Sequence, residues 1–229
     1  MNIIDIKFMG DNVYLLKSCT VTSEELKKTI KMFDYNDLYN QYRGYKDEDG
    51  VEKAQFPPIN FVFYKFVFEN DSIPSPQNVL DLYFELYSDE IKVSGGSAEM
   101  KGTSYDLMAL KARILRTYPS LLRDFHFYLM LKECDCFDKV TYSCIDDIKG
   151  TDITIVHKNK KYAVSLFTDT KRSWFFKKIK NVFRHKYGQN EIKVPMVLDE
   201  ADKCGDFMLY KQSDVKSVTT KIEYKGFYI

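Results

Sequence analysis

The sequence predicts an α/β chain, α+β overall, in which a small α+β module at residues 1–100 precedes a domain at 101–229 built on a mixed sheet. Three observations carry that prediction. Apolar residues recur at helical spacing in some segments and alternate with polar ones in others. Two strand-like segments, 162–168 and 194–198, are separated by room for a helix of about four turns, which suits a crossover between parallel strands and is too long for a hairpin. Hydrophobic residues make up 45% and charged residues 29% of the chain, the composition of a packed globule rather than a disordered tail.

The chain opens with alternation at Ile4, Ile6 and Phe8 and again at Val13 and Leu15, which predicts a hairpin turning at Gly10-Asp11-Asn12. Thr22 or Ser23 then caps a helix, because Glu24 and Glu25 fall in its first turn and Leu26, Ile30 and Phe33 follow at helical spacing. Residues 43–57 interrupt both periodicities with Gly44, Gly50 and Pro57-Pro58, predicting a mobile loop. The aromatic and β-branched run 59–69 predicts a buried strand, and Ser75-Pro76 starts a helix through Val79, Leu82 and Leu86. Gly95-Gly96-Ser97 marks a joint between the modules. Leu107, Leu110, Ile114 and Leu115 predict a helix ending at Thr117-Tyr118, and Pro119 opens a second with Leu121, Phe125 and Leu129. Strands follow at 140–142 and 151–156 and, after the turn Lys158-Asn159-Lys160, at 162–168. Ser173 caps a helix ended by Gly188, and two more strands are predicted at 194–198 and 206–210.

A formal charge of +1 excludes a global basic excess, so any nucleic-acid surface must be local. No window approaches the ~20 apolar residues of a membrane-spanning helix, which predicts no membrane partner. Five scattered cysteines, with no charged and then apolar opening, predict the reducing cytoplasm. Cys134-x-Cys136 lacks the second pair of a structural zinc site, and His126 reads as a satisfied packing residue. The absence of a glycine-rich phosphate loop, a serine elbow and a metal-binding histidine pair argues against a small-molecule enzyme.

From residue 105 onward the predicted order is helix, strand, strand, strand, helix, strand. Asp152, in Gly150-Thr151-Asp152, stands at the start of the second strand, and Asp169-Thr170-Lys171 follows the apolar run of the third. On these residues the carboxy-terminal half resembles the PD-(D/E)XK nuclease superfamily, whose restriction-endonuclease-like αβββαβ core carries an acid on the second strand and an acid-x-lysine motif on the third. The resemblance implies a metal-dependent DNA endonuclease with Asp152, Asp169 and Lys171 as catalytic residues. It implies Mg2+ or Mn2+ as cofactor, held by Asp152 and Asp169, since two carboxylates offer the oxygen ligands that a hard divalent cation takes. Lys171 would orient the attacking water or stabilise charge on the phosphorus, and residues 169 and 171 would share a strand face. Restriction, defence or mobile-element chemistry is the expected setting, with DNA as partner and a two-fold homodimer as the default assembly. The alternative rests on Ser165 and Phe167: if these mid-strand residues occupy the motif positions, the fold is catalytically inactive and binds nucleic acid or a protein partner.

Lys171, Arg172, Lys177, Lys178, Lys180, Arg184 and Lys186 crowd one stretch with no acid among them. Their helix face could follow a phosphate backbone with salt-dependent affinity, or simply be solvated. Arg113 and Arg116 lie one helical turn apart and suit bidentate contacts to phosphate, or pairing with Asp124 or Glu133.

Overall fold

The computed structural model describes residues 19–46, 48–143, 151–171, 173–175 and 190–227. The hairpin expected within residues 1–18 lies outside them, as do Arg172, Lys177, Lys178, Lys180 and Arg184 of the expected basic helix.

Helix α1 (Ser23–Ile30) begins with the capping box read from the sequence. The Thr22 hydroxyl accepts from the Glu25 amide, while the Glu25 carboxylate accepts from the Thr22 amide at 2.9 Å. After α2 (Tyr35–Asn40), the stretch expected to be a mobile loop instead holds a 3-10 turn at Arg43–Tyr45 and the short helix α3 (Asp49–Lys53). The Glu48 carboxylate caps the amides of Gly50 and Val51, so glycine there does not prevent a helical turn.

Helix α4 (Ile59–Asn70) replaces the strand expected from its aromatic and β-branched composition. Phe61, Val62, Phe63, Tyr64, Val67 and Phe68 are all buried, so apolar residues lie on nearly every side and no amphipathic period survives. Without that period a buried helix and a buried strand read alike. Helix α5 (Pro76–Leu86) starts at the expected Ser75 cap with Pro76 in its first turn. The expected joint at Gly95-Gly96 is the two-residue turn between β1 (Ile91–Ser94) and β2 (Ser97–Met100), with φ of 56° and 85°, which glycine adopts without strain. Strand β3 (Thr103–Asp106) completes a three-stranded antiparallel sheet.

Helix α6 (Leu107–Glu133) runs for 27 residues and does not end before Pro119. Proline lacks the N–H that would bond the Leu115 carbonyl one turn back. The buried Tyr35 hydroxyl donates to that carbonyl at 3.1 Å instead, so a partner from α2 replaces the missing donor and the helix continues.

The second sheet has the order β4 (Lys139–Thr141), β5 (Ile153–His157), β6 (Lys160–Thr168), β7 (Glu191–Met196). The first three strands are antiparallel, and Lys158 and Asn159 turn β5 into β6 with φ of 50° and 61°. Strands β6 and β7 are parallel, pairing Val164 with Ile192 and Thr168 with Met196, as the crossover length predicts. One face of this sheet, including Ile153, Ile155, Val164, Leu166 and Val194, joins the apolar core around α6. Hairpin β8 (Asp202–Cys204) and β9 (Phe207–Leu209) and helix α7 (Gln212–Phe227) follow; α7 was not foreseen, although Val215, Val218 and Ile222 are buried at helical spacing. The core is shared across residue 100, joining Leu26, Phe63 and Tyr83 to Phe125, Val164 and Phe207. The architecture is mixed α/β with three small sheets, one of them mixed. Among the described residues no helix is long and apolar enough to cross a membrane.

Candidate functional site

Asp152 stands just before β5, where its N–H donates to Val164 O at 3.1 Å. Its half-buried carboxylate accepts the Leu166 N–H at 2.5 Å. Strand β5 begins only at Ile153, so this carboxylate bonds an amide of β6 that lies beyond the paired residues of β5. Asp169 stands just past β6, and its N–H extends the parallel ladder by donating to Met196 O at 2.7 Å. Its Oδ1 accepts the Trp174 indole N–H at 2.6 Å.

The next residues leave the strand. Thr170 Oγ1 accepts the Ser173 N–H at 3.1 Å and Thr170 O accepts the Trp174 N–H at 3.0 Å. Thr170, rather than Ser173, is therefore the cap, and Lys171 is an exposed residue of the first helical turn. The expectation that Asp169 and Lys171 share a strand face is corrected by this cap. Trp174 is 42% exposed and meets Phe167 edge-on at 4.8 Å.

The Asp152 carboxylate therefore sits beside Leu166, and Asp169 lies three residues further, about 10 Å of strand. Each carboxylate is an oxygen donor of the kind a hard divalent cation takes, but that spacing does not bring the two together on one ion. Among the described residues no group of three or more His, Cys, Asp or Glu side chains is gathered to hold a metal ion. Mid-strand Ser165 is buried opposite Lys193 of β7.

Both named arginines on α6 are engaged within the chain. Arg113 donates to Val51 O and, at 3.0 Å, to Ala54 O, with its guanidinium over the Phe56 ring. Arg116 donates to Lys46 O at 2.7 Å and pairs with Glu52 at 2.6 Å. Together they fasten α3 to α6, and Glu52 replaces the acids expected as their partners. Of those acids, Asp124 lies 3.7 Å from Arg123, while Glu133 accepts the amide and hydroxyl of Ser23 at 2.6 and 2.5 Å.

A second candidate site lies near the end of α6. A cleft of about 410 Å³ is bounded by α1, the last turns of α6, β8 and the start of α7. His126 lines it at 1% exposure, and neither ring nitrogen has a hydrogen-bond partner among the described residues. Burial pushes its pKa down to about 4; Lys27 acts in the same direction and Asp202 against it. Lys27 and Asp202 pair with each other at 2.7 Å. His126 is thus a packing residue, as read from the sequence, but an unsatisfied one. The available signal was a lone histidine inside the apolar run Phe125 to Leu131.

Comparison of the chain with protein-family models, curated proteins and solved structures finds no match.

Proposed function

We propose that the chain is a metal-dependent endonuclease that hydrolyses phosphodiester bonds in DNA, built on a restriction-endonuclease-like core. The supporting observation is the convergence on one end of β6: the Asp152 carboxylate reaches Leu166, and Asp169 and Lys171 follow where that strand gives way to the connection toward parallel β7. Asp152 and Asp169 would hold Mg2+ or Mn2+, which when bound neutralises phosphate charge and acidifies water. Lys171, exposed beside them, offers an ammonium to the attacking water or to the charge that develops on phosphate.

Trp174 supplies a direct test, because it is the single tryptophan of the chain and its indole N–H bonds Asp169. Asp169, if it held an ion together with Asp152, would give up or weaken the bond it accepts from the indole. Titration with Mg2+ should therefore change tryptophan fluorescence in the wild type and leave Asp169→Asn unchanged. Supercoiled plasmid should be cut with Mg2+ or Mn2+, and Asp169→Ala and Lys171→Ala should abolish cutting. A wild type that neither responds to the ion nor cuts sinks the proposal.

A second reading is favoured by Ser165 and Phe167, which occupy the middle of β6 and offer no metal ligand pair. In it the fold binds nucleic acid without cutting, and the outcome is salt-dependent DNA binding in the absence of any cleavage.

A further inference from the structure

We propose that the cleft between α1, the end of α6 and the start of α7 binds a small zwitterion of amino-acid size, held by Glu24, Lys211 and His126. The inference is independent of the phosphodiester reading.

Most charges lining the cleft are already matched within the chain. Lys27 pairs with Asp202 at 2.7 Å, and Glu133 holds the Ser23 amide and hydroxyl. What remains is one carboxylate, one ammonium and one imidazole: the Glu24 carboxylate, which feels the charge of Lys27 without pairing with it, and the Lys211 ammonium are exposed at the rim with no hydrogen-bond or salt-bridge partner among the described residues, and His126 lies at the floor.

That residue set selects a ligand class by charge. Three acids against two lysines make the lining net negative, which disfavours phosphate or another plain anion. A plain cation would satisfy Glu24 but meet Lys211. A zwitterion satisfies both, its ammonium to Glu24 and its carboxylate to Lys211. The neutral imidazole adds one N–H donor and one lone pair, and either gains a bond it otherwise lacks. Met130 supplies a soft apolar wall for the remainder of the ligand. A volume of about 410 Å³ falls at the lower end for small-molecule sites, which suits one amino acid and not an extended chain.

Calorimetric titration of the full chain with each free proteinogenic amino acid tests the inference, with ribonucleosides and inorganic phosphate as parallel arms. The 15N resonances of the His126 imidazole, assigned with His126→Phe, report occupancy of the floor. At least one amino acid should bind, move those resonances, and lose about tenfold in affinity in Glu24→Gln and in Lys211→Gln, since each removes one charged hydrogen bond. Both variants alter exposed side chains, so the fold should be kept. The inference is overturned if no amino acid binds at millimolar concentration, if only nucleosides or phosphate bind, or if both variants bind as the wild type does.

Discussion

At the end of β6 the polar side chains reach solvent and are already bonded, whereas beside α1 the imidazole of His126 is sunk out of water and has no hydrogen-bond partner among the described residues. Asp152 and Asp169 each hold a donor supplied by neighbouring chain, so their placement costs little even without a ligand. His126 forgoes its hydrogen bonds to water without compensation from the described residues. The contrast separates two ways of keeping polar groups near a site. One set is structurally satisfied and could be recruited by an ion; the other carries an energetic deficit that a ligand or a proton would alter.

The largest test of this contrast is the pH dependence of stability. The His126 pKa is about 4 in the folded chain against an ordinary value of 6.5, so between these values the unfolded chain binds a proton that the folded chain refuses. Stability should be unaffected by this group above that window and fall by about 3 kcal/mol as pH drops through it. His126→Phe removes the group, so the difference between variant and wild type in urea denaturation should grow toward acid. Lys27 and Asp202, which act on the ring, and the other charged groups of the cleft, Glu24, Glu133 and Lys211, remain in both proteins, so their own titration largely cancels in the difference. Parallel pH profiles would show that the imidazole is not buried unprotonated.

An intermediate effect is expected where a buried acceptor is satisfied by a distant residue. Tyr35→Phe leaves the Leu115 carbonyl next to Pro119 without its donor and should destabilise the chain by about 1–3 kcal/mol. If Pro119→Ala is made in the same background, the restored backbone N–H should recover part of that loss. Equal costs of Tyr35→Phe with and without proline would mean that the hydroxyl plays no part in carrying α6 past residue 119.

The smallest effects distinguish the two strand-end acids. Asp152→Ala exposes a partly buried amide, that of Leu166, and should cost about 1–3 kcal/mol. Asp169→Ala gives up an exposed bond to Trp174 and should cost less than about 1 kcal/mol. Thermal unfolding of the pair would break the distinction if Asp169→Ala proved the more damaging. The same asymmetry makes Asp169 the cleaner position for testing cleavage, because loss of activity there is not confounded by a loosened strand.

Features set by nearby residues or by segment length were legible in the sequence. Thr22 with Glu25 and Ser75 with Pro76 start helices because their partners lie within one turn. Lys158-Asn159 turns β5 into β6, and the length between β6 and β7 admits only a crossover, so their parallel pairing could be read without coordinates. Asp152 and Asp169 fell at strand boundaries for the same reason, although the capping hydroxyl of Thr170 moved Lys171 off the strand.

Other features depended on groups far apart in the chain, and only the tertiary structure decided them. Burial on all sides removed the period that would have marked α4 as a helix. Tyr35 carried α6 through Pro119, and the carbonyls of Val51 and Ala54 together with Glu52 claimed Arg113 and Arg116. His126 looked like any apolar-face histidine, and only the folded chain shows both its nitrogens without a partner among the described residues. Sequence spacing specifies which groups a residue meets within a turn or a hairpin; the partners of a buried polar atom are fixed only when distant segments pack around it.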